Sequence, residues 1–256
     1  MENENGTWLV KGLAWDDPYR IRTWQELINW VNEVGFLPLF ANVIEGFSAE
    51  EHTFSDHWWT GDAEQDPWEW REIIARSKEV AYGKFFGGKA GFISKEWLPY
   101  FVNYRRNGYD FDSRYADGLA NFREKVIMDY YLGEDSDGEM LWKQDKILST
   151  DLKKMAGFGK GGLKNYPGII TGLQMQLYLV ITDFQRRKNK KGDEYGMSVT
   201  LMFPPEKIWG YDLITSAYEE EPIQSWQRIY DHVKRLYPNT DDDAIIGLIG
   251  KKPKVD

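Results

Sequence analysis

The sequence predicts an α+β fold that is mostly helical with short β-hairpins. Three observations predict it. Capping patterns mark several helix starts, apolar bursts flank the glycine pair Gly87-Gly88, and two β-rich runs flank a basic turn near residues 185–197. Hydrophobic residues make up 42% of the 256-residue chain, which supplies enough apolar side chains for a packed interior.

Two capping boxes predict the first helices. Thr23-Trp-Gln-Glu26 and Asp66-Pro-Trp-Glu69 each place a capping side chain three residues before a Glu that can bond back to the helix start. Pro67 fits the first helical turn, where its missing N–H loses no hydrogen bond. We therefore expect helices at about 23–34 and 67–77.

Further elements complete an N-terminal unit. Apolar bursts around Gly87-Gly88 are typical of a two-stranded hairpin. Additional helices are expected at about 94–104 and 116–132, the first from the capping residue at its start. These elements define a predicted helical, winged-helix-like domain with an aromatic loop at 23–132, preceded by an N-terminal extension at 1–22.

A second unit follows the polar, glycine-flanked segment 133–138, which is the best candidate boundary. The expected elements are helices at 139–148, 149–155 and 166–178 and strands at 179–184 and 198–203. Three short helices before a two-stranded hairpin predict a winged helix-turn-helix domain at 139–210. Residues 211–256 are expected to form a C-terminal helix, at about 224–236, and a tail.

The chain is acidic as a whole but has one basic segment. Its formal net charge is −9, whereas residues 152–191 contain nine basic residues and the single acid Asp183. A run of cations is often only a solvated surface, but here it includes the turn of a predicted hairpin, where long cationic side chains can reach DNA phosphates. The residues expected to contact DNA are Arg186, Arg187, Lys188, Lys190 and Lys191 in the turn, and Lys160 and Lys164 in an earlier loop.

The helix expected at 166–178 has an uncharged outer face. Its apolar stripe is Ile170, Leu173 and Leu177. The opposite face carries small or uncharged residues with Gln174 and Gln176 at its flanks, whereas a helix that reads base edges normally offers Arg, Lys, Asn or Gln. Two alternatives are open: the glutamines touch DNA, or this face packs on the N-terminal unit and the hairpin binds DNA by shape and charge.

Aromatic residues are concentrated between residues 57 and 86. The rings are those of Trp58, Trp59, Trp68, Trp70, Tyr82, Phe85 and Phe86. Such clusters are usually core side chains. The alternative is an aromatic pocket in which an unpaired base stacks, with Asp62 or Asp66 nearby. The two alternatives predict opposite burial for the rings.

Several classes of site are not expected. The absence of Cys excludes disulfides and thiolate chemistry, and fits a cytoplasmic location. The start of the chain has no signal-peptide pattern, and no apolar run is long enough to span a membrane. Three histidines are too few and too poorly spaced for a histidine-based metal site. Gly157-x-Gly159-x-x-Gly162 follows a helix rather than a strand, so no nucleotide cofactor is expected.

Two long segments, residues 66–106 and 149–184, together with the basic hairpin, resemble the AlkZ/YcaQ-like family of bacterial winged-helix DNA glycosylases. The similarity is greatest to an AlkZ-related branch of shorter proteins. The resemblance implies tandem winged helices, DNA as the partner, and hydrolysis of the N-glycosidic bond of damaged bases without a metal. It extends over most of 24–238 and lies in structural positions.

The family's chemistry is associated with a Gln-x-Gln or Gln-x-Asp motif near the N-terminus, and residues 26–46 contain no such motif. The resemblance therefore implies the fold and DNA binding, but names no catalytic residue. An active glycosylase would need a relocated carboxylate or glutamine, for which the candidates are Asp62, Asp66, Gln174 and Gln176. A third alternative is a winged helix that binds another protein and no nucleic acid.

Overall fold

The structure, a computed structural model, describes residues 2–4, 7–134, 140–143 and 147–253. The strands are β1 (Glu2–Glu4), β2 (Thr7–Leu9), β3 (Phe36–Pro38), β4 (Val80–Phe86), β5 (Lys89–Ser94), β6 (Leu132–Glu134), β7 (Met140–Trp142), β8 (Val180–Lys188) and β9 (Glu194–Phe203). The helices are α1 (Trp24–Val34), α2 (Pro67–Ser77), α3 (Leu98–Arg106), α4 (Phe111–Ala116), α5 (Phe122–Met128), α6 (Ser149–Met155), α7 (Tyr166–Met175), α8 (Pro205–Trp209), α9 (Tyr211–Thr215), α10 (Pro222–Leu236) and α11 (Asp242–Ile249).

An antiparallel five-stranded sheet organises the molecule. Its strand order is β3-β5-β4-β8-β9, and the two pairs β1-β2 and β6-β7 stand apart from it. Strands β4 and β8 meet at the pair Tyr82↔Ile181. The sheet therefore contains strands from both predicted units, and one hydrophobic core contains residues of both. The domain boundaries drawn from the sequence remain a prediction.

Thr23 and Asp66 act as N-caps, and the helices at 23–34 and 67–77 are confirmed as α1 and α2, although Glu26 accepts from the N–H of Arg22 instead of bonding back to Thr23. Thr23 Oγ1 accepts a hydrogen bond from the backbone N–H of Glu26 at 3.2 Å. Asp66 accepts from the N–H of Trp68 at 2.8 Å, and Pro67 occupies the first helical turn. Both caps satisfy backbone donors that the first turn of a helix leaves free.

Both predicted hairpins are confirmed. In β4-β5, Phe86 pairs with Lys89 across Gly87 and Gly88, whose φ angles of 58° and 77° suit a two-residue turn. In β8-β9, Lys188 pairs with Glu194, so the strands are longer than predicted: Arg186, Arg187 and Lys188 lie in β8, and Lys190 and Lys191 lie in the turn at the tip.

Three predicted helices have wrong boundaries for local reasons. Ser94 ends β5, and the helix begins only at Leu98. The helix expected at 116–132 is shorter, since α5 covers only Phe122–Met128, and the separate helix α4 ends at Ala116, where the chain turns at Gly118 with φ +73°. The helix expected at 166–178 ends at Met175, because Leu177 has φ +61°.

The helix expected at 139–148 is wrong for Met140–Trp142, which form β7 instead. This strand pairs with β6, and Leu132 lies opposite Trp142. A partner strand supplies the hydrogen bonds that a helix would have made within the segment, and periodicity within one segment cannot reveal such a partner. The winged-helix arrangement of the second unit thus remains a prediction, supported by α6, α7 and the β8-β9 hairpin.

Phe36 of β3 lies in the centre of the core. Its ring contacts those of Phe47, Phe86, Trp97 and Phe101 at centroid distances of 4.8 to 6.2 Å. Helix α10 packs on α3 along this side of the molecule. Across the described ranges, no helix combines the length and the apolar character that crossing a membrane requires.

Candidate functional site

The β8-β9 hairpin has a buried inner half and an exposed outer half. Val180, Ile181 and Phe184 are buried in β8, whereas every residue from Gln185 to Lys188 is exposed. Strand β9 repeats the division, with Leu201 buried and Glu194–Met197 exposed. The outer half therefore projects beyond the hydrophobic core, and its side chains are available to a partner.

The five predicted turn cations, Arg186, Arg187, Lys188, Lys190 and Lys191, all lie exposed on this outer half. Asn189 shapes the tip, because its Oδ1 accepts from the N–H groups of Lys191 at 2.8 Å and Asp193 at 3.0 Å. The acids Asp193 and Glu194 also lie at the tip and reduce the surplus of positive charge there. The charge of residues 152–191 alone therefore overstates the positive charge of the hairpin.

A cleft of about 480 Å³ lies at the root of the hairpin. Its charged lining includes Arg76 and Lys78 at the end of α2, Asp183 of β8 and Lys207 of α8. Arg76 Nε lies 2.6 Å from Asp183 Oδ1, and this ion pair offsets the negative charge that β8 contributes. The root thus adds cations to those of the tip. Sequence reasoning missed Arg76 and Lys78, because only the packing of α2 on β8 brings them here.

The two remaining cations lie in the loop before α7. Lys160 and Lys164 are exposed. Backbone hydrogen bonds hold this loop, including Leu163 N–H to Gly157 O at 2.9 Å. Gly162 permits this close approach, since a Cβ there would lie 2.2 Å from Gly157 O. The glycine-rich segment is therefore a compact turn between two helices.

Gln174 and Gln176 of α7 occupy different environments. Gln174 is buried; its Oε1 accepts from the N–H of Lys84 in β4 at 3.1 Å, and its Nε2 donates to Ile170 O. Gln176 Nε2 donates to Glu124 Oε1 at 3.2 Å, and the residue borders a cleft of about 500 Å³. The side chain of Gln174 thus packs on β4, whereas Met175 on the outer face of α7 is exposed.

Asp66 and Asp62 both bond to nearby backbone. Asp66 is fully buried and accepts from the N–H groups of Trp59, Gly61 and Trp68 at 2.8 to 3.1 Å. Asp62 is exposed and accepts from the N–H of Glu64 at 2.9 Å. Each carboxylate therefore shapes the loop before α2.

The aromatic set divides by burial. Trp58, Trp70, Tyr82, Phe85 and Phe86 are at most 5% exposed, which matches the core alternative. Burial raises the pKa of Tyr82 to about 12, despite the opposing positive charge of Arg71. Trp59 is 44% exposed and Trp68 is half-buried. Only these last two rings offer a face to solvent.

Strand β3 lies in the N-terminal stretch that lacks the polar motif. Phe36, Leu37 and Leu39 are fully buried, and β3 pairs with β5 from Phe36 to Pro38. These apolar side chains belong to the hydrophobic core. Among the described residues, no group of three or more His, Asp or Glu side chains lies close enough together to hold a metal ion.

A sequence model of the family described as AlkZ related matches residues 21–250, which is most of the chain. The chain belongs to the AlkZ-related family. The match covers all five strands of the main sheet and the basic hairpin, and it relates the chain to DNA-repair glycosylases. Searches of curated proteins and of solved structures gave no match to this AlkZ-related chain.

Proposed function

We propose that this AlkZ-related protein binds DNA through the outer half of the β8-β9 hairpin, as the wing of a winged helix that includes α6 and α7. One observation carries the proposal: five cations project beyond the core on a hairpin whose tip is shaped by its own side chains. Arg and Lys in such positions bind phosphates and fix the position of a protein on DNA without reading bases.

The environment of α7 supports binding by shape and charge. The helix uses Gln174 to hold β4, so this side chain is not free to read base edges. The exposed Lys78 at the root of the hairpin extends the positive surface toward α2, whereas Arg76 is paired with Asp183 and Glu72. The protein should therefore bind many DNA sequences with similar affinity, and its affinity should fall steeply with salt.

We propose DNA binding without assigning catalysis. Two of the four candidate catalytic side chains, Asp66 and Gln174, are buried and hold the backbone. Asp62 shapes a turn, and Gln176 bonds Glu124 and Gly172 O. These contacts support structural roles for the four candidates.

Titration of duplex DNA at several salt concentrations tests the proposal. The variant with Arg186, Arg187, Lys188, Lys190 and Lys191 changed to Ala should bind more weakly. Each lost phosphate contact should reduce the slope of log affinity against log salt by about 0.9. Fluorescence anisotropy of labelled duplex measures both quantities.

The matched control keeps the charge and changes the side chains, with each of the two arginines replaced by Lys and each of the three lysines by Arg. It should keep the slope of the unmodified protein, since the slope counts neutralised phosphates. No binding by the unmodified protein at low salt would overturn the proposal and favour a protein partner. An unchanged slope in the five-Ala variant would remove the hairpin from the binding surface.

A further inference from the structure

We propose that Trp59 and Trp68 form a stacking platform for an unpaired base of DNA held by the basic hairpin. The inference rests on the proposed function and adds to it the class of substrate: DNA that contains an unpaired nucleotide. It narrows the aromatic set to the two rings that reach the surface, Trp59 at 44% exposure and the half-buried Trp68.

The backbone of Trp59 is held in a conformation that bulky residues rarely adopt. Its φ angle is +63°, in the left-handed region. The buried carboxylate of Asp66 maintains this conformation by accepting from the N–H groups of Trp59 at 3.1 Å and Gly61 at 2.9 Å. Backbone strain that the surroundings enforce is concentrated at ligand sites. Here it presents a large apolar ring to solvent.

The rings behind Trp59 give the platform a rigid back. Trp58 is 5% exposed, and its Nε1 donates to Thr53 Oγ1 at 3.0 Å. The Trp59 ring lies 5.8 Å from Trp58 and 6.4 Å from Trp68, measured between centroids. A platform that is already ordered loses little conformational entropy when a base binds.

Arg71 connects the platform to the hairpin. Its guanidinium lies 3.7 Å from the centroid of Trp68 and 4.5 Å from that of Phe184. Glu72 Oε1 accepts from Arg71 Nη2 at 3.2 Å, and the arginine side chain is only 8% exposed. Phe184 belongs to β8 and precedes the exposed cation Arg186 by two residues. The platform and the first cations of the hairpin therefore adjoin one packed row of side chains.

A flat apolar ring that is linked to the hairpin through Trp68, Arg71 and Phe184 suits a nucleobase of DNA bound by that hairpin. Bases stack on aromatic side chains with little dependence on sequence, because every base has a π face. In an intact duplex that face is covered by neighbouring base pairs, so the platform favours nucleotides that are unpaired. We therefore expect the protein to bind a duplex with one unpaired thymidine about ten-fold more tightly than the fully paired duplex.

Three variants of the full chain separate the platform from the hairpin. W59G removes the ring and also relieves the strained backbone, because glycine adopts positive φ freely. W59F keeps a flat ring. F122A removes an exposed ring from α5, where Phe122 is 61% exposed. Affinities for the paired duplex, the bulged duplex and a thymidine single strand are measured by anisotropy at one salt concentration.

W59G should lose the preference for the bulged duplex while its affinity for paired duplex, its salt slope and its Tm stay at or above those of the unmodified protein. W59F should keep most of the preference, and F122A should keep all of it. A preference that survives in W59G overturns the inference. Equal binding of paired and bulged duplex by the unmodified protein also overturns it but leaves the proposed function standing, whereas no binding to any of the three DNAs removes both.

Discussion

The two hairpins of the main sheet differ in where their tips lie. Hairpin β4-β5 turns at Gly87-Gly88 directly after the buried residues Phe85 and Phe86. Hairpin β8-β9 has a buried root of similar character but continues into an outer half whose side chains are exposed. The first hairpin thus has buried residues up to its turn, whereas the second has a buried root and a charged, exposed extension. Substitutions in the first hairpin are expected to change the stability of the protein, and substitutions in the outer half of the second are expected to change DNA binding.

The largest expected effect concerns the root of the second hairpin. Arg106 is buried; it pairs with Glu206 and donates to Leu177 O just before β8. Burial alone would lower the pKa of Arg106, but the carboxylate of Glu206 raises it above the ordinary value. Arg106→Met should reduce the free energy of unfolding by about 3–5 kcal/mol, because it leaves a buried carboxylate unpaired.

Urea unfolding measures this loss, and the double variant R106M/E206M provides the control. Replacing both partners by apolar side chains removes the unpaired charge, so the double variant should regain much of the lost stability. If R106M alone unfolds at the same urea concentration as the unmodified protein, the buried pair does not anchor the root.

The next effect tests the first hairpin by a glycine substitution. A Cβ at Gly91 would lie 2.5 Å from the Phe86 ring and 2.7 Å from Leu37 O, and the carbonyl belongs to the paired strand β3. Gly91→Ala should therefore cost about 1–3 kcal/mol of unfolding free energy, measured in urea. Lys89→Ala, an exposed change on the same strand, should stay within about 0.5 kcal/mol.

The same substitution at the tip of the second hairpin should cost less. Gly192 has φ +91°, and a Cβ there would meet no atom within 4 Å. Gly192→Ala should cost about 1 kcal/mol, from backbone conformation alone. A loss as large as that of Gly91→Ala would show that the tip packs as tightly as the core hairpin, and the comparison would fail.

The smallest expected effect is a pH dependence of the free energy of unfolding, caused by His232 in the core. His232 lies 4.0 Å from Trp97 and 5.8 Å from Phe36 by ring centroids. Burial lowers its pKa, against the hydrogen bond to Val34 O and in concert with the charge of Arg235. The unfolded chain takes up the proton at a higher pH than the folded protein does. The contribution of neutral His232 to the free energy of unfolding should therefore be fully present above the unfolded pKa of about 6.5 and be lost as the pH falls toward the folded pKa.

Unfolding free energies measured between pH 7 and pH 5 test this sign. His232→Gln, whose amide can still donate to Val34 O, should flatten the profile in this range. Stability that rises on acidification in the unmodified protein would contradict the expected direction.

Local signals in the sequence predicted those parts of the fold that depend on local interactions. The capping residues Thr23 and Asp66 and the glycine pair at 87–88 each act within a few residues, and each was found where expected. The basic turn was found at the tip of its hairpin but is shorter than expected, because β8 extends to Lys188. The pairing of β3 with β5 joins segments that are far apart in the chain, so periodicity could not show it. The pairing of β6 with β7 is close in the chain, but the polar segment between them was interpreted as a boundary and not as a turn.

The candidate site was predictable to a similar degree. Exposed cations on a turn follow from composition, but the role of Asp66 required the structure. Its capping pattern predicted the bond to Trp68, while the bonds to Trp59 and Gly61 depend on how the loop folds back. Likewise, nothing in the sequence distinguished the surface ring of Trp59 from the buried ring of Trp58.

The register shifts of the β8-β9 ladder affect how the sequence of this hairpin can change in evolution. One shift lies between Ile181 and Asp183 and another between Gln185 and Arg187, and Gly196 adopts φ +72°. A bulge changes the register of a strand pair. The alternation of side chains between the two faces of the sheet on one side of the bulge therefore does not determine the alternation on the other side. Insertions or deletions beyond Gln185 can therefore change the length and the side chains of the outer half without changing which side chains of the inner half face the core.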